Sequence, residues 1–243
     1  MKNVEKATRG TQLQRTAASP SKRLLSLQSL NEDYEPSKRL EFEITEDVPV
    51  KSSLPASEIL SPALLGGNMA LSSCPGKKVR LDSPYAGKAI ISRDLRMDLE
   101  RIAAQRVSLI ICCLDNQELE FLGSPWEKYQ KIATELDLKV LRLPIVEGGS
   151  PPSCLVLDNL LQKVDDLVGN AGNILCHCRG GIGRAGLVAS CWLLKKKYFK
   201  SADEVVSHLR KRRSKKAIET EDQMDFIRQY HYFLLETSKT KRL

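Results

Sequence analysis

The sequence predicts an α/β fold, a mostly parallel central sheet flanked by helices, and three observations carry that expectation. From Lys88 onward, strand-like and helix-like segments alternate, the pattern of a sheet sandwiched by helices. Val107–Cys112 is a nearly unbroken apolar run, as a parallel strand covered on both faces should be. Cap signals then punctuate the chain: Ser124-Pro125-Trp126-Glu127, Ser201 with Glu204, and Thr220 with Gln223, each a polar residue three positions before Glu or Gln.

Taken in order, Lys88–Ser92 reads as a short strand and Arg93–Gln105 as a helix, with Leu95, Leu99 and Ile102 on one face. Val107–Cys112 is the next strand. The capping box at Ser124, with proline at the first helical position, opens a helix to about Asp137. Leu138–Leu143 is a strand, followed by a Gly/Pro loop and a helix near Ser153–Val168. Asn173–Cys178 is a strand, Arg184–Tyr198 a helix, and the last two caps open two more helices. Residues 55–85 are mixed, with turn signals at Gly66-Gly67 and Pro75-Gly76. Residues 1–54 are rich in Ser, Pro and charge and have no sustained periodicity. They bury too little to offset ordering entropy and read as a disordered N-terminal arm, leaving 55–243 as the folded domain.

A chain of 243 residues, 42% hydrophobic, suffices for one domain with a real core plus a tail. No run of about 18 apolar residues is present, and Met1–Arg15 lacks the apolar stretch of a signal peptide. The expectation is therefore a soluble intracellular protein, cytoplasmic or nuclear, without a membrane partner. The seven cysteines, at 74, 112, 113, 154, 176, 178 and 191, are odd in number and lack zinc-ligand spacing. They read as buried small hydrophobes with one reactive member, Cys176 and Cys191 belonging to the core. Residues 195–216 hold ten Lys/Arg against Asp203 and Glu204, an excess of eight that equals the net charge of +8. Such a run is a solvated helix face, an import signal in Arg210–Lys216, or a platform for an anionic ligand. With almost no aromatics interleaved, a phosphoprotein suits it better than a nucleic acid.

Chemistry concentrates after the Asn173–Cys178 strand, in His177-Cys178-Arg179-Gly180-Gly181-Ile182-Gly183-Arg184. Ligands of open α/β sheets bind at strand carboxyl ends. Glycines there let backbone N–H groups curl round an anion, and the helix opening at Arg184 aims its positive end at the same point. That field would keep Cys178 as a nucleophilic thiolate. Arg179, Gly180, Gly181, Ile182, Gly183 and Arg184 would hold the phosphate, the planar fork of Arg184 reaching two of its oxygens. Gly181–Gly186 also fits the dinucleotide pattern G-x-G-x-x-G. That reading needs a following strand, whereas Ser201–Arg213 reads as a helix, and no acidic residue closes a second strand about twenty positions on. Gly-Lys-Ser/Thr of a Walker loop is absent.

His-Cys, five residues, then Arg resembles the signature of the protein tyrosine and dual-specificity phosphatases. Ala70–Gly76, Leu143–Pro151 and Ala217-Ile218-Glu219-Thr220 leading to Gln223 extend the likeness to the cyclin-dependent-kinase-associated branch, over roughly residues 60–236. The resemblance implies the dual-specificity phosphatase fold, a phosphocysteine intermediate, no metal or organic cofactor, and a phosphothreonine of a kinase activation segment as substrate. It implies that His177 orients the loop and helps set the Cys178 pKa. Two positions depart from the family: Glu147 stands where the general acid is Asp, and Ala185 where Ser or Thr is usual. Glu147 has the right chemistry and a longer reach, or is only an exposed carboxylate. Ala185 lacks a hydroxyl that would help the thiolate leave. These departures sustain a rival reading, a weakly active or inactive fold serving as a kinase or cyclin binding module.

In the arm, Lys38-Arg39-Leu40-Glu41-Phe42 resembles cyclin-docking peptides, with Lys38, Leu40 and Phe42 as anchors. Lys22-Arg23-Leu24-Leu25 is a weaker copy, and Ser19-Pro20-Ser21-Lys22 looks like a proline-directed kinase site.

Overall fold

The computed structural model describes residues 68–81, 89–168 and 172–240. The arm at 1–54, with its docking motif, and Gly66-Gly67 lie outside the described residues. Parallel pairing builds one four-stranded sheet in the order β1-β6-β4-β5. Its strands are β1 (Asn68–Ser73), β4 (Val107–Cys112), β5 (Lys139–Arg142) and β6 (Asn173–Cys178). The short β2 (Lys78–Val79) and β3 (Ile91–Ser92) pair antiparallel in a separate ribbon. Of the strand expected at Lys88–Ser92, the described residues 89–92 are extended strand only at Ile91–Ser92, outside the parallel sheet.

Helices follow in sequence: α1 (Leu95–Ala104), α2 (Asn116–Phe121), α3 (Trp126–Glu135), α4 (Cys154–Val168), α5 (Arg184–Lys195), α6 (Ala202–Arg212) and α7 (Glu221–Thr240). Leu109, Ile110 and Ile111 of β4 are fully buried, which explains its lack of alternation. In α5, Arg184 to Trp192 are buried without interruption, so this helix is the hub of the core. Asp158 of α4 joins three helices, accepting from Lys195 Nζ at 2.8 Å and from Tyr230 Oη at 2.7 Å. Burial drives the Tyr230 pKa well up, and its bond to the Asp158 carboxylate adds to that, so the hydroxyl remains the donor.

Side-chain caps account for most helix starts. Ser201 Oγ accepts from Glu204 N at 3.2 Å, and Thr220 Oγ1 from Gln223 N at 3.2 Å. Gln223 reaches back to accept from Glu219 N at 2.9 Å. Asp94 and Asp115 cap α1 and α2. The expected cap at Ser124 does not form: α3 begins after Pro125 without a side-chain cap. Ser124 is fully buried and donates to the Pro75 carbonyl at 2.8 Å, 49 positions away in sequence. That bond uses the hydroxyl hydrogen and leaves the Oγ lone pairs; what takes Ser124 out of the cap is that α3 has its N-cap position at Pro125, one residue later. Helix α5 stops at Lys195, short of Tyr198, and Lys197 turns to φ 60°.

Because the four strands of the main sheet run parallel, their carboxyl ends share one edge. Ser73 lies opposite Cys178 and Cys112 opposite His177. The segments after β1, β4, β5 and β6 therefore converge there, as ligand loops of open parallel sheets do.

Candidate active site

The loop Cys178–Arg184 leaves β6 and ends in α5. At Gly181 φ is +70°, and a Cβ would lie 2.2 Å from the Ser72 carbonyl oxygen of β1. Only glycine fits a backbone so bent and so close to another. A Cβ on Gly183 would meet Glu219 Oε2 at 2.1 Å. The carbonyls of this loop are held by partners around it. Lys77 Nζ donates to Arg179 O at 3.0 Å, and Arg213 donates to Gly181 O at 3.0 Å and Gly180 O at 3.4 Å. Ile218 N donates to Ile182 O at 3.4 Å. Burial lowers the Lys77 pKa, and the Arg179 charge lowers it further. The Gly181 N–H points the other way, to Cys178 Sγ at 3.2 Å. A loop whose carbonyls are tied outward is free to offer N–H groups inward to an anion.

Cys178 is 3% exposed. Beneath it His177 is fully buried, its Nε2 3.2 Å from Tyr129 Oη and its ring stacked on that phenol. Burial pulls the His177 pKa down to about 3. The imidazole is neutral at physiological pH and lends Cys178 no charge; any stabilisation of a thiolate falls to the loop amides and the start of α5. Cys113 and Cys176 Sγ lie 3.7 Å apart, Cys176 and Cys191 are buried as expected, and all seven cysteines are free.

Arg184 is 3% exposed. Of the planar fork expected to grip phosphate, the end-on edge is occupied by Glu118, with Nη1 to Oε2 at 2.7 Å and Nη2 to Oε1 at 2.8 Å. Nη1 also donates to Ile145 O at 2.7 Å. Three of the five guanidinium hydrogens are thereby used, and the remaining donors, on Nε and Nη2, share the side-on edge. Burial is the largest influence and opposes the Arg184 charge, yet the opposing effects, led by the hydrogen bond and the charge of Glu118, together raise the pKa. Glu118 was missed from sequence, although Asp115-x-x-Glu118 has the form of a capping signal. Arg142 of β5 steadies the same segment, donating to Leu114 O and Asn116 Oδ1 at 2.8 Å.

Glu147 sits on the loop after β5. Leu143 N donates to Cys112 O at 2.9 Å and Ile145 N to Cys113 O at 3.2 Å. On the far side Thr220 Oγ1 donates to Gly148 O at 2.7 Å and Gln223 Nε2 to Gly149 O at 3.4 Å. The Glu147 side chain is 65% exposed and pairs with Arg179 Nη1 at 3.1 Å. The Arg179 guanidinium also lies 5.7 Å from the Phe121 ring centroid. Ala185 is fully buried in the first turn of α5. The fold thus brings Cys178, the glycine loop, Arg184 and the Glu147 loop to one sheet edge. It adds Glu118, Lys77 and Tyr129, which sequence reasoning left out, and brings Arg213, read there only as part of the basic run, to the loop carbonyls.

A parallel sheet, a cysteine loop at its carboxyl edge and an arginine opening the next helix describe a cysteine-loop phosphatase architecture. Residues 86–242 match the family model described as Swiss Army Knife protein, DSP-PTPase phosphatase domain. The chain belongs to this family and is a protein phosphatase of the tyrosine/dual-specificity type. It is 28% identical to Cyclin-dependent kinase inhibitor 3 of Rattus norvegicus over 192 residues, 77% of this chain and 78% of the relative. Among solved structures it resembles a kinase associated phosphatase whose catalytic-site cysteine is replaced by serine, with TM-score 0.60 and 23% identity over 69% of this chain and 87% of that one. The active form of Tk-PTP gives TM-score 0.52 and 22% identity over 71% and 99%. These neighbours share the α/β fold with a parallel sheet flanked by helices.

Proposed function

We propose that this phosphatase hydrolyses phosphothreonine and phosphotyrosine in the activation segment of a cyclin-dependent kinase, through a phosphocysteine intermediate. The observation that carries the chemistry is the buried Cys178 sulfur facing the Gly181 N–H, beside an Arg184 whose side-on edge is left for a ligand by its pairing with Glu118. Cys178 Sγ attacks phosphorus as the ester P–O bond breaks, and the leaving oxygen takes a proton from the Glu147 carboxyl group. Water then attacks the phosphocysteine, Glu147 accepts its proton, and the S–P electron pair returns to sulfur as inorganic phosphate departs. Nothing in these steps calls for a metal.

Cys178→Ser removes the nucleophile and keeps the binding loop. Turnover of p-nitrophenyl phosphate should vanish while phosphoprotein binding persists, and vanadate but not EDTA should inhibit the wild type. Inhibition by EDTA reversed by a divalent metal would end the reading. The rival, a binding module with little activity, draws on Glu147, whose carboxylate faces solvent and pairs with Arg179. Wild-type turnover no faster than Cys178→Ser would decide for it.

The kinase substrate rests on the relatives, one named for cyclin-dependent kinase inhibition and one titled kinase associated. Lys38, Leu40 and Phe42 would add a cyclin contact through an extended peptide. Leu40→Ala with Phe42→Ala should then weaken capture of a cyclin–kinase complex and leave p-nitrophenyl phosphate hydrolysis unchanged. Equal capture would reduce the motif to coincidence. Among the described residues no helix is long and apolar enough to cross a membrane.

A further inference from the structure

Beside the phosphate loop lies a groove of about 800 Å³ between α6, the 213–220 segment and the start of α7. Its apolar lining comes from Val206, Ile218 and Met224, all buried. Lys211 and Lys215 line it and are exposed, and among the described residues neither makes an ion pair. Arg210 adds a third cation, fixed by its bond to Ala217 O at 3.1 Å. Three of the six cations in the basic run between residues 210 and 216 thus line the groove. The groove and the phosphate loop lie on either side of one segment: Arg213 holds Gly181 O, Glu219 abuts Gly183, and Thr220 holds Gly148 O.

We infer that this groove binds an acidic segment of the phosphoprotein substrate, in which Asp or Glu alternates with apolar residues, while the phosphoresidue occupies the Cys178 loop. The inference rests on the phosphatase reading and adds the substrate's flanking chemistry. Lys211 and Lys215, which make no ion pair among the described residues, are left to select acidic groups, and the apolar lining takes side chains that a uniformly polar ligand lacks. Asp203, Glu219 and Glu221 also line the groove. Their charge disfavours a continuous anionic surface such as a bilayer, whereas a peptide can place its carboxylates at the lysines alone.

The test uses the full chain and two phosphothreonine peptides alike around the phosphoresidue. One carries flanks of alternating Glu and Leu, and the other has Ser in place of each Glu. Wild-type kcat/KM should be about tenfold higher for the acidic peptide, the scale of two or three exposed ion pairs, and the preference should fade with added salt. Lys211→Glu with Lys215→Glu should abolish it through KM and leave p-nitrophenyl phosphate turnover unchanged. Wild-type protein inert toward p-nitrophenyl phosphate would remove the phosphatase reading itself. Normal turnover with equal kcat/KM for the two peptides would overturn the groove assignment alone. So would a double variant impaired only on phosphoinositide in anionic vesicles, which assigns the lysines to lipid. Tighter binding by a peptide of residues 41–47 than by the acidic substrate would likewise overturn it, giving the groove to the chain's own arm.

Discussion

The phosphate loop and the Glu147 loop face each other across the site, yet they are built differently. The first is held from every side: its carbonyls by Lys77, Arg213 and Ile218, its bend by the closeness of Ser72, its arginine by Glu118. The second is anchored at its base and tip, while its one chemical side chain projects into solvent and pairs with Arg179 alone. Val146, next to it, is 81% exposed. Holding an anion and placing a charge demand preorganisation, because the gain depends on donors that need not move. Proton donation asks only that a carboxyl group reach the leaving oxygen. If Glu147 is the acid, Glu in place of Asp is tolerable in the second loop in a way that a Cβ at Gly181 is not in the first.

Glu147→Ala gives the largest expected effect and breaks any equation of structural support with chemical weight. It should slow hydrolysis of a phosphothreonine peptide by about 10²–10⁴-fold, touch an aryl phosphate much less because its leaving group is better, and leave thermal unfolding almost unchanged, the tie to Arg179 being exposed. Equal small losses on both substrates would take Glu147 out of the chemistry. Glu118→Gln is the reverse case. It keeps the shape but removes the charge that orients Arg184, so kcat/KM should fall by about 10²-fold on every substrate. Stability should drop by roughly 1–3 kcal/mol, since a buried guanidinium loses its partner. Unaltered melting and kinetics would show that Arg184 is held by Ile145 and packing instead.

The smallest expected effect lies at Ala185. When Cys178 leaves phosphorus as a thiolate, a hydroxyl at 185 could hydrogen-bond it, and a bond of that kind is worth about 1.5–3 kcal/mol. At about 1.4 kcal/mol per decade, its absence should slow the second step of the proposed mechanism by roughly one to two decades. Phosphoenzyme should accumulate, visible as a stoichiometric burst of leaving group by rapid quench. Ala185→Ser should raise the steady rate and shrink the burst. No burst, and no gain from the serine, would place the slow step in the first transfer.

Legibility in the sequence followed how local each decision was. β4 and β6 appear with the expected ends because Val107–Cys112 and Asn173–Cys178 are covered on both faces and carry that burial in their composition. Caps at Ser201 and Thr220 were readable because donor and acceptor lie three residues apart. Ser124 presents the same local pattern and was misread, since the helix takes Pro125 as its cap position and Ser124 is buried against Pro75, distant in sequence. β1 escaped notice as a half-exposed edge strand of Asn-Met-Ala-Leu-Ser-Ser, defined only by pairing with β6. Cys178, Arg184 and the glycines were visible in one motif, whereas the partner of Arg184 depends on how α2 meets α5. The neutrality of His177 depends on burial that no neighbour in sequence announces.

The cap of α7 carries one more consequence. Thr220 and Gln223 begin that helix and also hold Gly148 and Gly149 of the opposite loop, while Glu219 rests against Gly183. Synthesis proceeds from the N-terminus, and domains fold as units while it does. A nascent chain that already contains Cys178, Arg184 and Glu147 still lacks the residues that clamp their loops together. Translation thus sets the order of events: Cys178, Arg184 and Glu147 are made first, and the brace that holds their loops in register comes with α7.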